Sequence, residues 1–202
     1  MKVRLILVAM VAVGLAVTGY LGWRLAGPSG GVQASAAPGA IGGPFQLVDT
    51  EGRAVTERSL LGKPTAIFFG FTYCPEVCPT TLTELTAAMK ALGSDADRLN
   101  VVFVSVDPER DTPAQMKLYL GNFDPRIQGF TGSVERVAAA AKAYRVYYRK
   151  IPLEGDDYTV DHSSAIYLFD AKGRFVAPVG YGEPHERVVA ALKGLAKGKR
   201  GT

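Results

Sequence analysis

Apolar positions along the chain fall into two kinds of block. One kind is short, continuous and rich in β-branched and aromatic residues. The other repeats at helical spacing. "PTAIFFGF" (64–71) and "NVVFVSVD" (100–107) are of the first kind, and their length fits strands buried on both faces. Residues 79–92 place Leu82, Leu85, Met89 and Leu92 at helical spacing, and Gly93 stops the pattern. "TPAQMKLYLGNF" (112–123) predicts a helix with Thr112 as its cap and Pro113 in its first position. Helices are also predicted over 133–146 and 184–198. "FQLVDTEGRAV" (45–55) reads as two short strands around a turn at Glu51-Gly52. "SAIYLFD" (164–170) and "RFVAPVGY" (174–181) pair as a hairpin through Ala171-Lys172-Gly173. Parallel crossovers followed by an antiparallel hairpin predict an α/β domain, a mixed sheet flanked by helices on both faces.

One block fits neither pattern. Residues 5–23, "LILVAMVAVGLAVTGYLGW", run for 19 positions without a charge, close to the roughly 20 that cross a bilayer as a helix. Tyr20 and Trp23 lie at its far end, where interfacial aromatics belong. Lys2 and Arg4 precede it and outweigh Arg24 on the exit side, so the body is expected on the periplasmic, extracytoplasmic side. "ASA" (34–36) has the form of a signal cleavage site, yet it lies 11 residues beyond an apolar run that is long for a signal. Residues 1–25 are therefore read as one transmembrane helix, a membrane anchor, with a cleaved signal segment as the rival. Residues 26–43, rich in Gly, Ala and Pro, are a flexible linker with a typical reach of roughly 23 Å. That reach suits a domain that meets a membrane-bound partner. Residues 44–198 form the single folded domain, and 199–202 are a tail.

Composition changes this picture little. With 48% hydrophobic and 21% charged residues, the chain of 202 is ordinary for a globular protein. The net charge of +4 resolves on inspection. Lys2, Arg4 and Arg24 are the only charges in the first 43 residues, and without them 20 Lys+Arg face 19 Asp+Glu. The basic excess thus comes from the N-terminal segment and is no argument for nucleic acid, which wants a basic stripe on the folded domain and is not an expected partner. The run Lys193, Lys197, Lys199 and Arg200 reads as a solvated helix end.

The chemistry is concentrated in "FFGFTYCPEVCP" (68–79), which holds the chain's two cysteines, Cys74 and Cys78. They stand at the carboxyl end of a predicted buried strand, where open α/β sheets gather their ligands. Thiols near a helix N-terminus are favoured as thiolates, the form that reacts or binds metal. If the stretch is helical, positions i and i+4 share one face. If it is a loop, the extra residue widens the bite and Pro75 limits the backbone. A structural disulfide here would close a very small loop and staple nothing distant. A dithiol redox pair of thioredoxin type is a real competitor. It implies a thiol reductant, because the compartment is oxidising.

A third ligand would separate metal work from redox work. The chain has two histidines. His185, in "GEPHERV", opens the last helix and reads as a surface or capping residue. His162, in "YTVDHSSAIYLFD", lies on a loop leading into a strand, beside Asp161, which would orient its ring. Two thiolates and one imidazole fall short of the four protein ligands of a structural zinc site. Thiolates favour Cu(I), and an added imidazole admits Cu(II), so copper is the natural ion if a metal binds.

The stretches "FFGFTYCPEVCPTTL", "VSVDPERDTP" and "VDHSSAIYLFD", in that order behind an apolar N-terminal segment, resemble the Sco (SenC) copper chaperones of cytochrome c oxidase assembly. The resemblance covers residues 44–195. It implies a thioredoxin-like fold with an extra N-terminal β-hairpin. It implies one copper, as Cu(I), Cu(II) or both, held by Cys74, Cys78 and His162, with Asp107 as a supporting acidic residue. His162-Ser163 would occupy the place where thioredoxins carry a proline facing their cysteines. The implied partners are the oxidase subunit that carries the dinuclear copper site, a copper donor and a thiol reductant. The implied role is a metallochaperone that delivers copper to that site or reduces its cysteines. The alternative is a membrane-anchored thiol-disulfide oxidoreductase of the thioredoxin or peroxidase class.

Overall fold

A computed structural model describes residues 41–155 and 157–198. The anchor, most of the linker and the tail lie outside the described residues. Among the described residues no helix is long and apolar enough to cross a membrane.

The chain enters through β1 (Gln46–Asp49) and β2 (Ala54–Thr56), an antiparallel pair. The Asp49 carboxylate holds their turn by accepting the N–H groups of Glu51 and Arg53, both at 2.9 Å. This is the expected extra hairpin. The apolar run becomes β3 (Thr65–Gly70), with every residue buried. Helix α1 (Val77–Leu92) crosses over to β4 (Asn100–Ser105), parallel to β3 from Thr65–Asn100 to Gly70–Ser105. Helix α2 (Pro113–Leu120) starts at the predicted cap, where Thr112 Oγ1 accepts the Gln115 N–H at 3.2 Å. β5 (Ile127–Thr131) follows, then α3 (Val134–Ala143), capped by Ser133. β6 (Tyr148–Pro152) and β7 (Tyr158–His162) form a two-stranded ribbon. The predicted hairpin appears as β8 (Ile166–Phe169) and β9 (Phe175–Val179), with Gly173 at φ 74° in its turn. Helix α4 (His185–Ala196) closes the domain.

The main sheet runs β2-β1-β5-β4-β3-β8-β9. Its centre is parallel and its flanks are antiparallel. Side chains alternate across each strand, and β3 shows what each face meets. Phe68 packs on Phe103 and Gly70 lies over Cys78 of α1. Phe69 points the other way, to Tyr144 at the end of α3, with ring centroids 5.5 Å apart. Tyr119 of α2 stacks near Phe103, so α1 and α2 cover one face and α3 the other. This is the thioredoxin-like arrangement of a mixed sheet between helices.

Two elements differ from the sequence reading. β5 was not predicted, because Gly129 and Gln128 interrupt its apolar pattern. Its register comes instead from pairing with β4 on one side and β1 on the other. The ribbon was not predicted either. β6, "YRKIP", is largely exposed and offers no apolar run to read.

A buried carboxylate ties the two central strand ends together. Asp111 accepts the Thr72 N–H (3.0 Å), the Thr72 hydroxyl (2.6 Å) and the Ser105 hydroxyl (2.6 Å). Thr72 begins the cysteine loop after β3, and Ser105 ends β4. Each donor would cost free energy if left unpaired in the interior.

Gly70 must lack a side chain, since a Cβ there would lie 2.5 Å from Cys78 Sγ and 2.8 Å from the Phe103 ring. Gly70→Ala is therefore expected to cost about 1–3 kcal/mol by overpacking. The check is denaturant unfolding of the reduced protein. An unchanged midpoint would mean the Cys78 side chain is free to move away.

Candidate metal centre

β3 ends at Gly70, and the next residues turn across the carboxyl end of the sheet. The Cys74 N–H bonds the Phe71 carbonyl at 3.3 Å, so Cys74 lies in a tight loop and not in the helix. Helix α1 then starts at Val77, two residues earlier than the periodicity predicts. Cys78 sits in its first turn on the buried face, 0% exposed. The two sulfurs meet because the loop folds back over the helix start. Glu76 makes no side-chain cap bond there. In its place Cys74 Sγ accepts the Cys78 N–H at 3.4 Å. The three-residue gap is thus the distance from a capping sulfur to the first buried turn.

His162 is the last residue of β7, not part of a loop. Its Nε2 lies 3.5 Å from Cys78 Sγ. Its Nδ1 lies 2.9 Å from the Ser163 carbonyl, which only accepts, so Nδ1 carries a proton and Nε2 is the nitrogen turned toward the sulfurs. Edge-on contacts with Phe68 and Phe71 hold the ring, with centroids 6.2 and 5.7 Å away. One ligand atom from each of Cys74, Cys78 and His162 falls within 4.8 Å of the others. No further His, Cys, Asp or Glu among the described residues joins that group.

The electrostatics of the pair are asymmetric. The Cys78 thiol donating to Cys74 holds the Cys74 thiol well below the usual range. Burial opposes this, and His162 and the helix amides add to it. Cys78 is pushed up by the same partnership and by its burial. Negative charge on the pair is therefore favoured at the partly exposed sulfur of Cys74.

The remaining expected residues are placed as follows. Asp107 is fully buried but outside the three-ligand group. Its carboxylate accepts from Arg110 Nε at 2.5 Å and from the Tyr158 hydroxyl at 2.7 Å. Asp161 does not orient the ring, which corrects the expectation. Adjacent strand residues point to opposite faces, so Asp161 is exposed while His162 turns inward. The Ser163 carbonyl does that work, and a backbone group leaves no trace in a sequence. His185 pairs with Glu84 of α1 at 2.7 Å on the surface, far from ligation chemistry. Sequence reasoning missed Asp111, Arg110 and Tyr158. The first two were signalled only by standing in "DPERD", beside Asp107.

Comparison with known proteins agrees with this fold. The family model SCO1/SenC matches residues 33–197. The mitochondrial SCO1 homolog 1 of Arabidopsis thaliana is 46% identical over 153 residues, which is 75% of this chain and 45% of that protein. The chain spans about half the length of the curated relatives it matches first. The structure of Bradyrhizobium japonicum ScoI with copper bound shares 53% identity at a TM-score of 0.73, covering 77% of this chain and 99% of that one. BsSco, described through a disulfide switch as a member of the Sco family of cytochrome c oxidase assembly proteins, shares 25% identity at a TM-score of 0.61. It covers 78% of this chain and 94% of its own. Matched by the family model over residues 33–197 and by these relatives in sequence and fold, the chain belongs to the SCO1/SenC family.

Proposed function

We propose that this chain is a copper chaperone, binding one copper ion per molecule through Cys74, Cys78 and His162. The observation that carries the reading is the convergence of two sulfurs and one imidazole nitrogen within 4.8 Å. Thiolate sulfur suits Cu(I), and the imidazole extends the set to Cu(II). The copper-bound relative from Bradyrhizobium japonicum supports the ion, and the BsSco relative supports a place in cytochrome c oxidase assembly. In this reading residues 1–25 anchor the domain on the extracytoplasmic face of a membrane. A copper donor fills the site, and the ion passes to the oxidase subunit with the dinuclear copper site. A three-coordinate ion lets an incoming thiolate add before any bond breaks. Delivery leaves a dithiol behind, so a thiol reductant is needed wherever that dithiol oxidises to a disulfide.

One observation favours a second reading. A partly exposed, acidified Cys74 beside a buried Cys78 is the pairing of attacking and resolving thiol in a disulfide reductase. Such an enzyme needs the cysteines and not His162.

Anaerobic copper titration of the reduced full chain in mild detergent, against a competing chelator, separates the two. One copper per chain, weakened by more than about tenfold in His162→Ala, is expected for the chaperone. Binding indifferent to His162 would leave the reductase as the better account.

The acidified thiol has its own signature. The Cys74 pKa is lowered, so its thiolate persists as pH falls. An ordinary thiol loses roughly a hundredfold of its thiolate between pH 8 and pH 6. Iodoacetamide labelling of Cys74 should change far less over that interval, and Cys78→Ala, which removes the donor, should move the slope toward the ordinary one. A hundredfold slope in the unsubstituted protein would show that Cys78 does not hold the charge in place.

A further inference from the structure

The ribbon that carries His162 is poorly attached by its backbone. Among the described residues β6 and β7 pair with each other and with no strand of the main sheet. A lone two-stranded hairpin is marginal in water. Yet its last residue must hold a ring nitrogen 3.5 Å from Cys78 Sγ. Something other than strand pairing must fix it.

Along β7, Tyr158, Val160 and His162 face the body by alternation, and Val160 is buried. His162 stands at one end of this row. At the other end, roughly 13 Å away along the strand, Tyr158 meets a charged bracket. Arg110 Nη1 donates to the Tyr158 carbonyl at 2.9 Å, and its guanidinium carbon lies 3.8 Å from the centre of the Tyr158 ring. Arg110 Nε reaches buried Asp107, which in turn accepts the Tyr158 hydroxyl. The same guanidinium lies 4.8 Å from the Tyr73 ring and 5.9 Å from the Phe71 ring, both in the cysteine loop. The other polar ties are weaker. Asp157 and the Lys150–Glu109 pair are largely exposed, and exposed pairs contribute little.

We propose that Arg110, set by Asp107, is a positioning residue for His162: it fixes the ribbon against the cysteine loop and so places the third ligand. The proposal rests on the three-ligand copper reading above. Arg110 touches none of the three ligands. Its contacts link the β4 end to the two segments that carry them. Its Nη2 is buried without a hydrogen-bond partner, so aromatic faces as well as acceptors determine its seat. A lysine would reproduce the charge but neither the fork nor the stacking.

The test is a double-mutant cycle on the full chain in detergent, with hydrogen exchange of the metal-free protein beside it. Arg110→Met should weaken copper binding about 10–100-fold, the range for residues that orient metal ligands. In a His162→Ala background the same change should cost less than about threefold. The Cu(II) resonance spectrum should lose its nitrogen coupling while sulfur ligation persists. In the metal-free protein, amide exchange over 158–162 should rise by more than about tenfold, with 65–70 and 100–105 unchanged. Equal cost in both backgrounds, retained nitrogen coupling at full affinity, or unchanged ribbon exchange would each overturn the proposal. If the unsubstituted chain binds no copper, the chaperone reading fails, and ribbon exchange alone then decides what Arg110 holds. Arg110→Met leaves the Asp107 charge buried and unpaired. Tyr158→Phe, which keeps the ion pair and the stack, guards against that loss of fold. It should shift exchange and affinity in the same direction by a smaller factor, and no shift in either would count against the bracket.

Discussion

The amide at the start of α1 that no helix carbonyl can accept is the constraint around which the site is arranged. A helix start offers N–H groups that need an acceptor and favours negative charge. Here the acceptor is a sulfur, and the charge it gathers is the one the pair carries. The buried position of Cys78 follows, because the second thiol must stay close enough to donate to the first. So does the bare backbone of Gly70 above it. Asp111 then holds Thr72, at the start of the loop that returns Cys74 to the helix.

The fold was legible where burial was deep. β3 and β4 are short continuous apolar runs rich in β-branched and aromatic residues, which suits a strand buried on both faces. The cap at Thr112 marks a helix start that the structure keeps. β5 and the ribbon were hidden for a shared reason. Neither shows a readable apolar pattern: β5 takes its register from strands distant in sequence, and β6 of the ribbon is largely exposed. The site was legible through its rare residue types. Two cysteines and two histidines in the whole chain leave few combinations to consider. The groups that hold those residues in place were not legible, because a backbone carbonyl at Ser163 and a guanidinium stacked on tyrosines look like any others in sequence.

Two supports of unequal stiffness therefore meet at one point. The sulfurs stand on a helix packed against a buried sheet. The imidazole stands on a ribbon held by side chains. Strand alternation explains why the neighbouring Asp161 takes no part, although its type and position recommended it. Residue type chose the candidates, and strand geometry decided among them.

The burial of Cys78 also gives any exchange at this site a direction. Its sulfur is walled in by Gly70 and by its own helix, while Cys74 is partly open to solvent. A visiting protein thiol meets Cys74 before it can meet Cys78. Under the proposed function, the departing ion would be released first from the open side and last from Cys78. Handover becomes a sequence of single substitutions in a set order, with the hidden sulfur serving as the final tether.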